Sequence, residues 1–274
     1  MKNIIFKLSC ILLLSSVLFS CQKDPVITPD TTNYTKVTEA VSSGSSFNVG
    51  FYATDSLFVG FNKVYIKVTD KTTGQAIKQA TLVLHPLMDM VTFSHACPAE
   101  NPGSVPNADG YYEGVIIFSM PGTNSWSVSA DVSANGKTET VNFAIPRVIA
   151  TDPVQKIVVM DTVITGGVLK VTKYPISIVK PKAWKVGMNT FEITINCMQT
   201  MMAFPSCSDF TVEITPEMPS MGHGSPNNVN PVHVSNGHYV GTVNFTMTGA
   251  WRINMLLKKS DWVKARSSYF DITF

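Results

Sequence analysis

The chain has almost no excess of either charge, no segment beyond its first twenty residues with a sustained helical period, and no motif of a familiar catalytic site. Each absence excludes something. The 274 residues carry 21 Lys and Arg against 19 Asp and Glu. Lys2 and Lys7 lie in the first twenty residues, so the remainder is near neutral and has no long-range attraction for nucleic acid phosphates. No glycine-rich phosphate loop or dinucleotide fingerprint is present, and no Ser or Cys stands beside a His in a nucleophile context. Acidic residues such as Asp89, Glu100, Asp109 and Glu113 form no evident pair. The sequence does not read as an enzyme.

Its amino-terminal end reads as a processing signal. After Lys2 and Lys7, the run Leu8–Phe19 is apolar apart from Ser9, Cys10, Ser15 and Ser16. That is short of the roughly 20 apolar residues a spanning helix needs. It closes in Leu18-Phe19-Ser20-Cys21, which resembles a bacterial lipobox. Residues 1–20 are then a lipoprotein signal peptide and Cys21 is the lipidated residue. The plainer alternatives are a secretory signal or an uncleaved anchor. Residues 21–47, rich in Thr, Ser and Pro, follow as a flexible tether. Gln22-Lys23-Asp24 is similar to the short signal that takes some Bacteroidetes lipoproteins to the outer surface. The expected location is the cell envelope, as an outer-membrane lipoprotein, with periplasmic and surface-facing placements both open. The expected partner is the membrane, through the lipid anchor.

Of five cysteines, Cys97, Cys197 and Cys207 remain once Cys10 is removed and Cys21 acylated. Export permits disulfides. Cys197 and Cys207 flank nine residues between two apparent strands, so they are expected to close a hairpin loop, leaving Cys97 odd.

What is abundant is alternation. Lys63-Val64-Tyr65-Ile66-Lys67-Val68, Thr81-Leu82-Val83-Leu84, Tyr112–Phe118 and Trp126-Ser127-Val128-Ser129 repeat with period two. Asp109-Gly110, Asn135-Gly136 and Asn236-Gly237 punctuate the chain as turns. An internal repeat then appears. Gly60-Phe61-Asn62 answers to Gly187-Met188-Asn189, and Pro86-Leu87-Met88 to Pro216-Glu217-Met218. Gly110-Tyr111-Tyr112-Glu113-Gly114 answers to Gly237-His238-Tyr239-Val240-Gly241. Phe118-Ser119-Met120-Pro121-Gly122 answers to Phe245-Thr246-Met247-Thr248-Gly249, each soon followed by a tryptophan, Trp126 or Trp251. The fold class expected is all-β, two tandem immunoglobulin-like β-sandwich domains, at residues 48–146 and 171–274. The inter-domain segment 147–170 is apolar enough to add a strand or to pack at the domain interface, giving a semi-rigid pair.

The most unusual segment is Thr215–Pro226, where Met218, Met221 and His223 fall in a Pro- and Gly-rich loop. His233, His238 and Met247 follow. Thioether and imidazole ligands suit Cu(I), and hard oxygen ligands are scarce. The first repeat carries a weaker variant in Met88, Met90, His95, Cys97 and Met120. Its residues are either a second site or packing at the sandwich end, where methionine fills irregular gaps. Met198, Met201 and Met202, between the two cysteines, are either contacts to a soft metal or a partner, or a cover for the sandwich end.

From Gly187 to Ile253 the chain resembles the YtkA-like family of exported β-sandwich domains, related to FixH-type proteins. Three blocks carry this: Met218-Pro219-Ser220-Met221-Gly222-His223-Gly224, Asn236–Gly241 and Phe245–Trp251. The resemblance implies a link to copper handling or to metal delivery for respiratory oxidases. It places the family's methionine–histidine loop on Met218, Met221 and His223 and its strand methionine on Met247. The leading expectation is therefore a membrane-tethered, Cu(I)-handling protein with a copper-delivery or envelope protein as partner. The alternative is a non-enzymatic structural or protein-interaction lipoprotein whose Met-rich loops are packed sandwich apices.

Overall fold

The computed structural model describes residues 33–260 and 262–274. The stretch read as a signal peptide with its lipobox, and Cys21, lie outside the described residues. Asn33–Phe274 form one compact unit holding all the described strands and both large apolar cores, and so carry what their folding needs.

Nine strands build the first sandwich: β1 (Thr35–Val41), β2 (Phe47–Ala53), β3 (Gly60–Asp70), β4 (Thr81–Asp89), β5 (Ser94–Ala96), β6 (Ala99–Glu100), β7 (Tyr112–Phe118), β8 (Gly122–Ala134) and β9 (Lys137–Val148). One sheet runs β1-β2-β3-β7-β6 and the other β5-β4-β8-β9. Nine more build the second: β10 (Lys156–Thr165), β11 (Val168–Val179), β12 (Gly187–Ile195), β13 (Phe210–Met218), β14 (His223–Gly224), β15 (Val229–Ser235), β16 (His238–Phe245), β17 (Ala250–Lys259) and β18 (Trp262–Thr273). Their sheets run β10-β11-β12-β16-β15 and β14-β13-β17-β18. The two strand orders are the same, so the repeated blocks record a duplicated sandwich.

Local chemistry explains the strands. In β2, Phe47, Val49, Phe51 and Ala53 point inward at every second position and are buried. β4 and β13 each tolerate an internal proline, because Pro86 and Pro216 lie where the strand has one neighbour only. β5 pairs only Leu87–Asp89, and β14 only Glu217 and Met218. Asn135-Gly136 and Asn236-Gly237 both hold positive φ and close two-residue hairpins.

Two elements depart from the expected boundaries. β1 lies inside the stretch read as tether. Its sequence alternates poorly because it is an edge strand, with only Val37 and Ala40 packing on the core. β10 lies inside the stretch read as inter-domain segment and pairs with β11 as the second sandwich's edge.

Candidate functional site

The repeated order of blocks within the chain has a structural reason. Asn62 donates its amide to the carbonyls of Phe58 and Gly60 and accepts from the Phe58 N–H. Asn189 repeats this with Lys185 and Gly187. Tyr112 donates its hydroxyl to Ile77 O at 3.0 Å, and Tyr239 donates to Cys207 O at 3.0 Å. The buried polar tips of the repeat are thereby satisfied.

The methionine–histidine blocks resolve the same way. Trp126 donates its indole N–H to Met120 O, and Trp251 to Met247 O, both at 3.0 Å. The His95 ring meets Trp126 edge-on with centroids 5.6 Å apart, and His223 meets Trp251 at 5.7 Å. Met88 and Met218 are buried in their respective cores. A Cβ at Gly122 would lie 3.2 Å from the Met88 methyl, and one at Gly249 would lie 2.8 Å from the Met218 methyl. The glycine is where the methionine tip passes. Each Met–His–Gly–Trp set is a seat that closes one end of a sandwich around a buried indole.

This overturns the Cu(I) site. The fold brings Met218, Met221, His223 and Met247 to one end of the second sandwich, but Met218 faces the core and His223 packs on Trp251. Met221 and Met247 project to solvent. His233 lies on β15 against Tyr239, and His238 on β16, both in the opposite sheet. In the first repeat Met88, His95 and Cys97 are buried and Met120 is exposed, while Met90 packs partly on the core. The His95 ring also has Nδ1 at 2.9 Å from Ala96 O. Burial pushes the Cys97 thiol well above its ordinary range, which disfavours the thiolate a metal would need. Among the described residues no group of three His, Cys, Asp or Glu could hold a metal ion. Softness of ligand type was a sound signal for chemistry, but the same side chains serve packing equally well.

Cys197 and Cys207 are free thiols in the structure, so the expected bridge is not formed there. They are nonetheless neighbours across a hairpin: Asn196 pairs with Ser206, Cys197 N–H donates to Pro205 O, and Cys207 N–H donates to Ile195 O. Burial, with the adjacent Cys197 adding, pushes the Cys207 thiol up to about 12. The loop between them does not cover its own sandwich alone. Met201 O accepts the Ala96 N–H of the first sandwich at 2.8 Å. Met202 and Phe204 face Leu84, Pro98 and Ala99 across a hollow of about 320 Å³.

That contact belongs to a junction whose residues the sequence did not reveal, although a semi-rigid pair was expected. Phe61, Val115 and Ile117 of the first sandwich form a small apolar cluster with Val179 of the second. Beside it His238 is held by two carboxylates, Nε2 at 2.7 Å from Glu100 of the first sandwich and Nδ1 at 2.6 Å from Glu192 of the second. The edge of the ring contact with Phe61 completes the enclosure. An imidazole can donate from both nitrogens only when protonated. Accordingly the Glu100 hydrogen bond raises the His238 pKa above its ordinary value, with Glu192 adding and burial opposing. Glu100 and His238 are 138 residues apart, so no local signal in the sequence could have linked them.

Residues 169–255 match the YtkA-like family, so a YtkA-like domain is present over that part of the chain. It spans most of the second sandwich. No curated protein matches the chain. Among solved structures the chain is similar to FdeC, an Escherichia coli adhesin, at 15% identity with a TM-score of 0.25, covering 86% of this chain and 66% of that one. A likeness that distant does not bear on function.

Proposed function

We propose that this chain is a membrane-tethered, extracytoplasmic protein that works without catalysis, its two sandwiches acting as one stiff interaction body at the envelope. The observation that carries the reading is the junction. An apolar cluster, a histidine clamped by two carboxylates and a docked loop fix one sandwich on the other. Methionines and histidines that resembled ligands are used to close the sandwich ends. The protein-binding element is the edge strand β15, on which Val229, Val232 and Val234 are exposed, and an unpaired edge is a template for an added strand.

The tether is tested by making the chain through its own leader and recovering it from membranes. Mass analysis of the amino-terminal peptide is expected to begin at an acylated Cys21. An unacylated chain, or one starting elsewhere, refutes the lipid anchor.

A further inference from the structure

The hairpin of β10 and β11 carries more exposed apolar surface than a free element of this protein requires. Its last core pair is Val159 with Tyr174, both buried. Six further cross-strand pairs follow, from Met160 with Lys173 to Thr165 with Val168, before the Gly166-Gly167 turn. At about 3.4 Å per residue the finger extends roughly 20 Å beyond that core pair. Toward its tip Ile164, Val168 and Leu169 are 72, 68 and 59% exposed, with Val163 and Val171 nearly half exposed. Ile164 and Leu169 pair across the strands and share a face with Val171, while Val163 and Val168 lie on the other face, so apolar side chains surround the tip, and exposed apolar surface of this kind marks a contact.

Charge indicates which contact. The finger's one acidic residue, Asp161, is neutralised by Lys264 at 2.9 Å, in a pair shielded from solvent. Lys170 and Lys173, just behind the tip, pair with no carboxylate among the described residues. The tip is thus apolar with free cations at its shoulder. We propose that this finger is a membrane-contact site, its tip seated at the boundary of headgroups and acyl chains and Lys170 and Lys173 on anionic lipid phosphates. Long lysine stems lie along apolar surface while the ammonium stays at the polar boundary. The depth is limited to that boundary, because the turn peptides at Gly166 and Gly167 need water as a hydrogen-bond partner. This deepens the membrane-tethered reading, yet it does not need the lipid anchor.

The test is flotation of residues 33–274, which lack Cys21, with vesicles of phosphatidylethanolamine and phosphatidylglycerol, and with vesicles of phosphatidylcholine alone. Binding to the anionic vesicles is expected, with weaker binding to the neutral ones. The double substitution Ile164→Asp and Leu169→Asp should lower partitioning by at least about tenfold for the lost side chains, with Ile164→Ser and Leu169→Ser as a second pair should the first unfold. Lys170→Glu with Lys173→Glu should remove the preference for anionic lipid. Absence of flotation, or equal flotation of parent and double variant, overturns the proposal. So does a dimer in sedimentation velocity that the double variant abolishes while neither chain floats, which would assign the finger to a second copy. Because acylation is read separately by mass, the tether and the finger can fail independently.

Discussion

Consider the substitution of His238 by alanine. It removes two charge-assisted hydrogen bonds, each of about 1.5–3 kcal/mol. His238 keeps 14% of its side-chain exposure and each carboxylate 28%, so both glutamates can rehydrate and the lower values apply. The expected loss is about 2–3 kcal/mol near pH 6. The pH dependence follows from the direction of the shift. The folded pKa lies above the ordinary 6.5, so the contribution is complete below that value and is lost as pH rises through the folded pKa. A neutral imidazole has one N–H, so above that point one of the two carboxylates loses its bond and about half of the stabilisation goes. Urea unfolding of parent and H238A at about pH 6 and about pH 9 is the assay. The parent should lose stability across that interval more steeply than the variant. Glu100→Gln should weaken the clamp on the side that joins the sandwiches. Equal stability of parent and H238A at the lower pH would refute the reasoning. So would a ring titration of His238, followed by NMR, at or below the ordinary value.

The tryptophan seats make a further prediction. Trp251→Ala should cost about 3–5 kcal/mol, and His95→Ala or His223→Ala roughly 0.5–1.5 kcal/mol from the lost ring contacts, measured by chemical denaturation. Unchanged stability in all three would remove the packing explanation of the motif. For the cysteines, protein exported through its native route is expected to carry a Cys197–Cys207 disulfide, seen as the loss of two hydrogens by non-reducing mass analysis. Its removal in C197S/C207S should cost roughly 2–3 kcal/mol, and two free thiols after such export would count against the bridge.

Period-two alternation and the paired blocks made the duplicated sandwich legible, because inward and outward positions on a strand are a local property. The blocks also revealed equivalence before any geometry: Asn62 and Asn189, Tyr112 and Tyr239, Trp126 and Trp251 occupy matching places. What those blocks do was not legible. Met218 and His223 near Met247 satisfy a soft-metal pattern and a packing pattern alike, and only the direction of each side chain separates them. β1 escaped notice since one edge strand of Thr, Lys and Glu has little to alternate. Glu100 looked unpaired, because the histidine that joins it to Glu192 is reached only when two domains dock. The apolar character of segment 147–170 was visible as composition, but that its hairpin reaches past the core depends on the register with β11.

The central claim is that the two sandwiches form one stiff body. It is tested most directly by backbone nitrogen-15 relaxation on residues 33–274, resolved separately for each sandwich. The account predicts one rotational correlation time shared by both sets of amides, at the value for the whole 33–274 fragment. It also predicts the same value when lipid is absent, since the junction is internal to the chain. Two different correlation times, each near that of a single sandwich, would contradict it.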